Sequence, residues 1–309
     1  MSTVSFRLVL TLLILEMSAS SSLFAKVYGL SGPRKAVFAM HVTGGGVGAF
    51  AEAFGTPGAS SSLMEGLVPY SRASFRNFMD DDVESFCGKG SAVKMAHRSR
   101  QKATRYYLED FGLAAVAEAN IFGVACTASL VTNRLKRGDH RAFVAVATDS
   151  GTVEYAVTLD KGRRSREEED ALVTTVIKEA IASAAGVGWM CAEGGWVLGK
   201  GGVITGDGLD SGDHVQMTVQ EAAAPSATST LERILNGTIS KSLFIPRIGT
   251  EQGEGSTDTA FVCLEDIDLP PGTVVYPGSF NPLHVGHVAL AQAAQRAVRT
   301  EHDCDSLPT

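Results

Sequence analysis

Between Ala36 and Ala185 short apolar runs alternate with longer amphipathic ones, and this alternation restricts the chain to helices layered on a sheet, an α/β fold. Ala36-Val37-Phe38-Ala39-Met40-His41-Val42 is a buried-strand pattern behind the turn signal Gly32-Pro33. It runs into Thr43-Gly44-Gly45-Gly46 and an Ala/Phe-rich helix, Val47 to Phe54, which Gly55-Thr56-Pro57-Gly58 breaks. Leu63 to Tyr70 reads as a second strand, and Ser91 to Phe111 as a long helix. Ile121 to Ala128, Ala142 to Ala147 and Val153 to Leu159 read as three further strands, the last two joined by Asp149-Ser150-Gly151. Arg166-Glu167-Glu168-Glu169-Asp170 opens a helix to about Ala185, with acidic residues where the dipole favours them.

The 309 residues suit about two domains. We divide them into an N-terminal apolar segment (1–33), an α/β domain (34–188), a flexible Gly-rich insert (189–230) and the start of a further domain (231–309). The insert is assigned from Gly194, Gly195, Gly199, Gly201, Gly202, Gly206, Gly208 and Gly212, with no strand feeding the glycines and no helix leaving them. Arg7 and the apolar run Leu8 to Leu15, then Ser18-Ala19-Ser20, outline either a targeting segment or a docked helix; the run is too short to span a bilayer.

Net charge is −7, from 27 basic and 34 acidic residues, which argues against nucleic-acid binding. Cys87, Cys126, Cys191, Cys263 and Cys304 lie far apart with no CxxC pair, against a disulfide framework or zinc ribbon and in favour of a reducing compartment, cytoplasmic or organellar. No metal site is expected.

The most specific stretch is Thr273-Val274-Val275-Tyr276-Pro277-Gly278-Ser279-Phe280-Asn281-Pro282-Leu283-His284-Val285-Gly286-His287. An apolar strand enters a Gly/Pro turn, two histidines stand where a helix begins, and Val288 to Val298 continues it. Backbone N–H groups at such a helix start, with two imidazoles, make an anion site. The segment resembles the first signature of the nucleotidylyltransferase superfamily, a strand followed by G-x-F-x-P-x-H-x-G-H. The resemblance implies that His284 and His287 bind the triphosphate and stabilise the transferring phosphoryl group. Gly278, Ser279, Phe280, Asn281 and Gly286 then shape the nucleotide site. The substrate implied is a nucleoside triphosphate with Mg2+, without a prosthetic group, and the acceptor is phosphorylated. Only 22 residues follow His287, fewer than one βαβ unit needs, so transfer is expected of a longer form.

A second resemblance covers about 36–186. Thr43-Gly44-Gly45, Pro57-Gly58-Ala59-Ser60 and Gly66-Leu67-Val68-Pro69-Tyr70-Ser71 are similar to motifs of the CinA C-terminal domain, the nicotinamide-nucleotide amidohydrolases, with Thr127-Ala128-Ser129 in place of a later T-G segment. It implies Ser60 as nucleophile, with Tyr70 and Thr127 in the same catalytic group. A serine nucleophile needs a base. The family's lysine five residues after the tyrosine is Phe75 here, and His41 stands where a serine is usual, so Ser60 is expected to lack its base, with His41 the first substitute. Arg163, Arg164 and Arg166 form a basic cluster that either holds phosphate or is a solvated helix start.

The expected chain is thus a CinA C-terminal-like layered domain, a Gly-rich linker and the first β-α unit of a Rossmann-like nucleotidylyltransferase fold. Its partners are small-molecule nucleotides, with no nucleic acid and no integral membrane span; a homo-oligomer is left open. Nucleotidyl transfer leads, ahead of amide hydrolysis by the first domain and of non-catalytic nucleotide binding.

Overall fold

The computed structural model describes residues 22–79, 85–134, 136–188, 195–221, 234–235, 242–246, 261–265, 289 and 293. The N-terminal run 8–15 and nearly all of 266–309, with Gly278, Ser279, Phe280, Asn281, His284, Gly286 and His287, lie outside them. Of the helix expected over 288–298, Ala289 and Ala293 are described and are helical. The chain divides into two compact units, Met1–Asp266 and Ile267–Thr309.

The first unit is a mixed α/β layering. In chain order it runs α1 (Leu23–Tyr28), β1 (Ala36–Thr43), α2 (Gly48–Gly55), β2 (Leu63–Leu67), α3 (Arg72–Met79) and α4 (Lys89–Glu118). There follow β3 (Asn120–Ser129), β4 (His140–Ala147), β5 (Gly151–Leu159) and α5 (Arg166–Ala185). Last come β6 (Trp196–Leu198), β7 (Val203–Gly206), β8 (His214–Glu221), β9 (Ser242–Pro246) and β10 (Phe261–Glu265). Eight strands form one sheet in the order β2-β1-β3-β4-β5-β8-β7-β6, and β9 and β10 form a separate antiparallel pair.

β2, β1 and β3 are parallel, and every pairing from β3 to β6 is antiparallel. All eight residues of β1 are buried, as expected of a parallel strand covered on both faces. On one face Phe38, Met40, Val42, Phe122 and Val124 pack against α1, α2 and α5 through Phe24, Ala49, Ala53, Val173 and Ile177. On the other, Ala125, Ala145 and Ala147 meet Phe75, Phe78, Met95 and Ala96 of α3 and α4. Gly123 permits the close approach there, because a Cβ at this position would collide with the backbone of α4 at Ala96 and Arg100.

Local chemistry sets the boundaries. α5 opens with a capping box: Glu168 N–H donates to Ser165 Oγ (3.2 Å) and Ser165 N–H to Glu168 Oε2 (2.7 Å). It closes at Gly186 in the left-handed region. β2 stops at Leu67, three residues earlier than expected, because Pro69 has no N–H for a ladder. α4 departs from helical geometry at Gly112, directly after the expected end at Phe111.

The Gly-rich stretch departs most from expectation. Instead of a free linker, residues 196–221 supply β6, β7 and β8, and β8 pairs with β5 from Thr158↔His214 to Gly151↔Glu221. Arg164 ties this stretch down. Its guanidinium grips Asp213 at 3.0 and 2.5 Å and Asp210 at 2.8 Å, and it donates to the Gly208 carbonyl at 2.8 Å. The arginine cluster is therefore not an open phosphate site. Arg163 pairs with Asp160 (3.1 Å), and Arg166 donates to the Gly44 carbonyl (2.6 Å).

Candidate functional site

The connection from β1 to β2 passes through α2 on one face, and that from β2 to β3 through α3 and α4 on the other. Such a reversal opens a crevice outside the carboxyl ends of the strands where it occurs, here β1 and β3. Thr43 and Thr127 are register partners at those ends, so Thr43-Gly44-Gly45 lies beside Thr127-Ala128-Ser129. Gly44 has φ +82°, and a Cβ there would strike the Ala128 carbonyl, so the turn lies flat on β3.

The first turns of α5 hold this edge together. Asp170 accepts from Gly46 N–H (2.8 Å), while Arg166 donates to Gly44 O. Fully buried Glu169 accepts from Val131 N–H (2.7 Å) and contacts His140 Nδ1 at 2.6 Å. The Gly46 N–H is thus spent on a carboxylate of the chain itself, where a phosphate cradle would keep it for the ligand.

What faces outward is chemically more capable. Lys136 Nζ donates to Ser129 Oγ at 3.0 Å and to the Leu130 carbonyl at 2.6 Å. Burial, and then the Arg166 charge, hold the Lys136 ammonium below the ordinary lysine range. Arg141 is the register partner of Ser129 across the β3–β4 ladder, so both side chains stand on one face. Cys87 Sγ lies 3.7 Å from the Thr127 carbonyl, and Thr127 Oγ1 donates to the Gly88 carbonyl at 3.4 Å. Burial pushes the Cys87 thiol up, which keeps it protonated and unreactive.

Beneath this edge, on the same face of β1 as Thr43, lies a buried polar array. His41 Nε2 is 2.8 Å from Glu65 Oε2, its Nδ1 is 2.5 Å from Ser99 Oγ, and Lys102 closes on Glu65 at 2.9 Å. A carboxylate only accepts, so Nε2 carries a hydrogen, and the single Ser99 hydroxyl hydrogen lies between the neutral ring's Nδ1 and the Met95 carbonyl, 2.7 Å from Oγ. Burial pulls the His41 pKa down and outweighs the opposing pull of Glu65. The His41 hydrogen bond is the main cause that brings Glu65 down to about 2. His41 and Ser99 are both fully buried, with the Phe78 ring 4.5 Å from the imidazole. The array ties β1, β2 and α4 together and is closed to solvent at the hydroxyl.

Of the residues expected to act together, the structure brings in only Thr127. Ser60 is exposed on a turn before β2, at the amino edge of the sheet. At about 3.3 Å per residue, the length of β1 puts roughly 20 Å between that edge and Thr127. Tyr70 is 70 % exposed. His41 meets Ser99 and not Ser60, so it is no substitute base there. The serine beside Ser60 fares differently: Ser61 Oγ accepts from Lys35 Nζ at 2.9 Å. Ser129, Lys136, His140 and Glu169 were not singled out by sequence. For Glu169 a signal exists, since helical spacing puts it with Leu172, Val173 and Val176 on the buried face of α5.

No family model and no curated protein matches the chain. Solved structures similar to it are CinA-superfamily proteins. The competence/damage-inducible protein CihA from Agrobacterium tumefaciens is 16 % identical over 52 % of this chain and 93 % of its own, with a TM-score of 0.41. A CinA-superfamily protein from Enterobacter cloacae is 11 % identical over 50 % and 83 %, with a TM-score of 0.37. One from Klebsiella pneumoniae is 11 % identical over 53 % and 92 %, with a TM-score of 0.33.

Proposed function

We propose that the protein is an enzyme of nucleotide metabolism that transfers a nucleotidyl group from a nucleoside triphosphate to a phosphorylated acceptor. The observation that supports this is the spacing of Gly278, Phe280, Pro282, His284, Gly286 and His287 in one strand–turn–helix pattern. The two imidazoles donate hydrogen bonds where phosphoryl charge builds up during in-line displacement, with Ser279, Asn281 and the turn glycines shaping the site. Mg2+ enters with the triphosphate as part of the substrate.

The full-length protein, given ATP or CTP with nicotinamide mononucleotide, should release pyrophosphate. His284→Ala or His287→Ala should lower turnover by about two to three orders of magnitude, as loss of an oxyanion-hole donor does. Full activity in the His287→Ala protein would show that the segment is not the site.

A second reading is amide hydrolysis of a nucleotide by the first unit. The pairing of Thr43 with Thr127 favours it, because two of the motifs that resemble the amidohydrolases then share the switch-point crevice. Ammonia release from nicotinamide mononucleotide measures it. Ser60→Ala should leave the rate unchanged, since Ser60 sits at the opposite edge of the sheet; absence of ammonia from the folded wild type overturns the reading.

A further inference from the structure

We propose that Ser129 and Lys136 are a nucleophile–base pair for acyl transfer from a small amide or ester that carries a negative charge. The inference deepens the second reading by naming the pair that reacts.

Three observations converge on it. Lys136 Nζ and Ser129 Oγ are 3.0 Å apart, within proton-transfer reach, and both side chains are half-buried rather than sealed. The pair sits at the end of β3, beside the switch point, where ligands of open α/β sheets bind. The charge beside it is positive: the exposed Arg141 stands opposite Ser129 and spends a hydrogen bond on a neutral carbonyl, Cys87 O, at 3.4 Å. The carboxylate nearby, Glu169, is already occupied by His140 and Val131 N–H. An anionic group therefore finds a guanidinium within reach of the nucleophile.

The buried Ser99–His41–Glu65 array is the rival by chemistry, but its hydroxyl is fully buried. Ser61 with Lys35 is the rival by geometry, but it lies at the amino edge of the sheet.

In the acylation step the neutral Lys136 amine takes the Ser129 hydroxyl proton as Oγ bonds to the substrate carbonyl carbon. The carbon–nitrogen or carbon–oxygen bond of the substrate then breaks, and the leaving amine or alcohol departs with the proton that Lys136 returns. In deacylation a water gives its proton to Lys136 and its oxygen to the acyl carbon. The carbon–Oγ bond breaks, the proton passes to Ser129, and the free acid leaves. Burial and the Arg166 charge raise the share of neutral Lys136, while Glu169 acts against them.

The test uses the full chain with a fluorophosphonate, and with 4-nitrophenyl acetate against its anionic analogue 4-nitrophenyl hemisuccinate. Mass spectrometry should find one phosphonate, on the peptide that carries Ser129. Ser129→Ala should abolish labelling, and Lys136→Arg, which keeps the charge but cannot act as base, should slow labelling about a hundredfold or more. Arg141→Gln should raise KM for the hemisuccinate by a larger factor than for the acetate. Thermal melts check that each variant is folded. If Lys136→Arg does not fold, the Ser129→Cys thiol tests the site, since iodoacetamide should alkylate it faster than Cys87. Labelling at Ser60, Ser61 or Ser99, no labelling of folded wild type, or undiminished labelling of Ser129→Ala overturns the proposal. Ammonia release that survives Ser129→Ala keeps the second reading and removes this pair. A phosphonate on Ser129 without ammonia release does the reverse.

Discussion

Glu179 is 6 % exposed on α5, and its Oε2 has no hydrogen-bond partner in the structure. Burial alone pushes its carboxyl up to about 7. The folded state therefore keeps a proton that the unfolded chain gives up near pH 4.5. Stability from this group is full below pH 4.5, falls as pH rises to 7, and stays low above. The shift corresponds to about 3 kcal/mol. Glu179→Gln should recover a stability of that order at pH 8 and nothing at pH 4, measured by urea unfolding at both; an equal gain at both would mean that charge burial is not the cause. Glu65 acts in the opposite sense. Its carboxyl is held at about 2, so the stability it contributes is present above the ordinary 4.5 and drains away as pH falls towards 2. The depressed His41 works in the same direction, losing stability as pH drops below 6.5. Glu65→Gln should flatten the acid limb of a pH–stability curve, and an unchanged limb would place acid sensitivity elsewhere.

Among the elements, β6 to β8 depend most on a single contact. Arg164 and Asp213 close 49 positions apart, and the Asp213 side chain is fully buried. Removing one partner strands the other charge, at a cost of about 3 kcal/mol or more. Arg164→Ala should let trypsin cut at Lys200 well before it cuts in α4, whereas wild type resists at both; equal rates of cutting would show that the strands do not rest on this pair. This is also where the sequence was least legible. β1 and α5 announce themselves, one by a run of apolar residues and the other by acidic residues in its first turn. β8 carries His214, Gln216, Thr218 and Gln220 on a largely exposed surface and β7 is four residues long, so too few side chains reach the core to print a period, and the glycines around them read as punctuation. Of the candidate site, the motif names Thr127, which the β1–β3 register sets beside Thr43 at the strand ends. Lys136 meets Ser129 from seven positions away, a separation that leaves no periodic signal, and a motif cannot say at which edge of a sheet its serine, here Ser60, emerges.

For the molecule as a whole, the eight-stranded sheet and both of its apolar faces close within residues 22–221. A chain limited to those residues should unfold in one cooperative step in a thermal melt followed by circular dichroism. A broad, non-cooperative melt would mean that this core needs what lies outside it. No helix among the described residues is long and apolar enough to cross a membrane. The seam at β3, parallel on one side and antiparallel on the other, has a further consequence, for the order of events as the chain folds. Pairing Ala36 with Asn120 must close a loop of 84 positions, while β4 meets β5 across a short turn at 148–151. Long closures are slow and short ones fast. The β4–β5 hairpin is thus placed to form first and to serve as the template on which β3 docks. The crevice outside β1 and β3 is then assembled late, because this edge exists only once the longest strand-to-strand closure of the described sheet has been made.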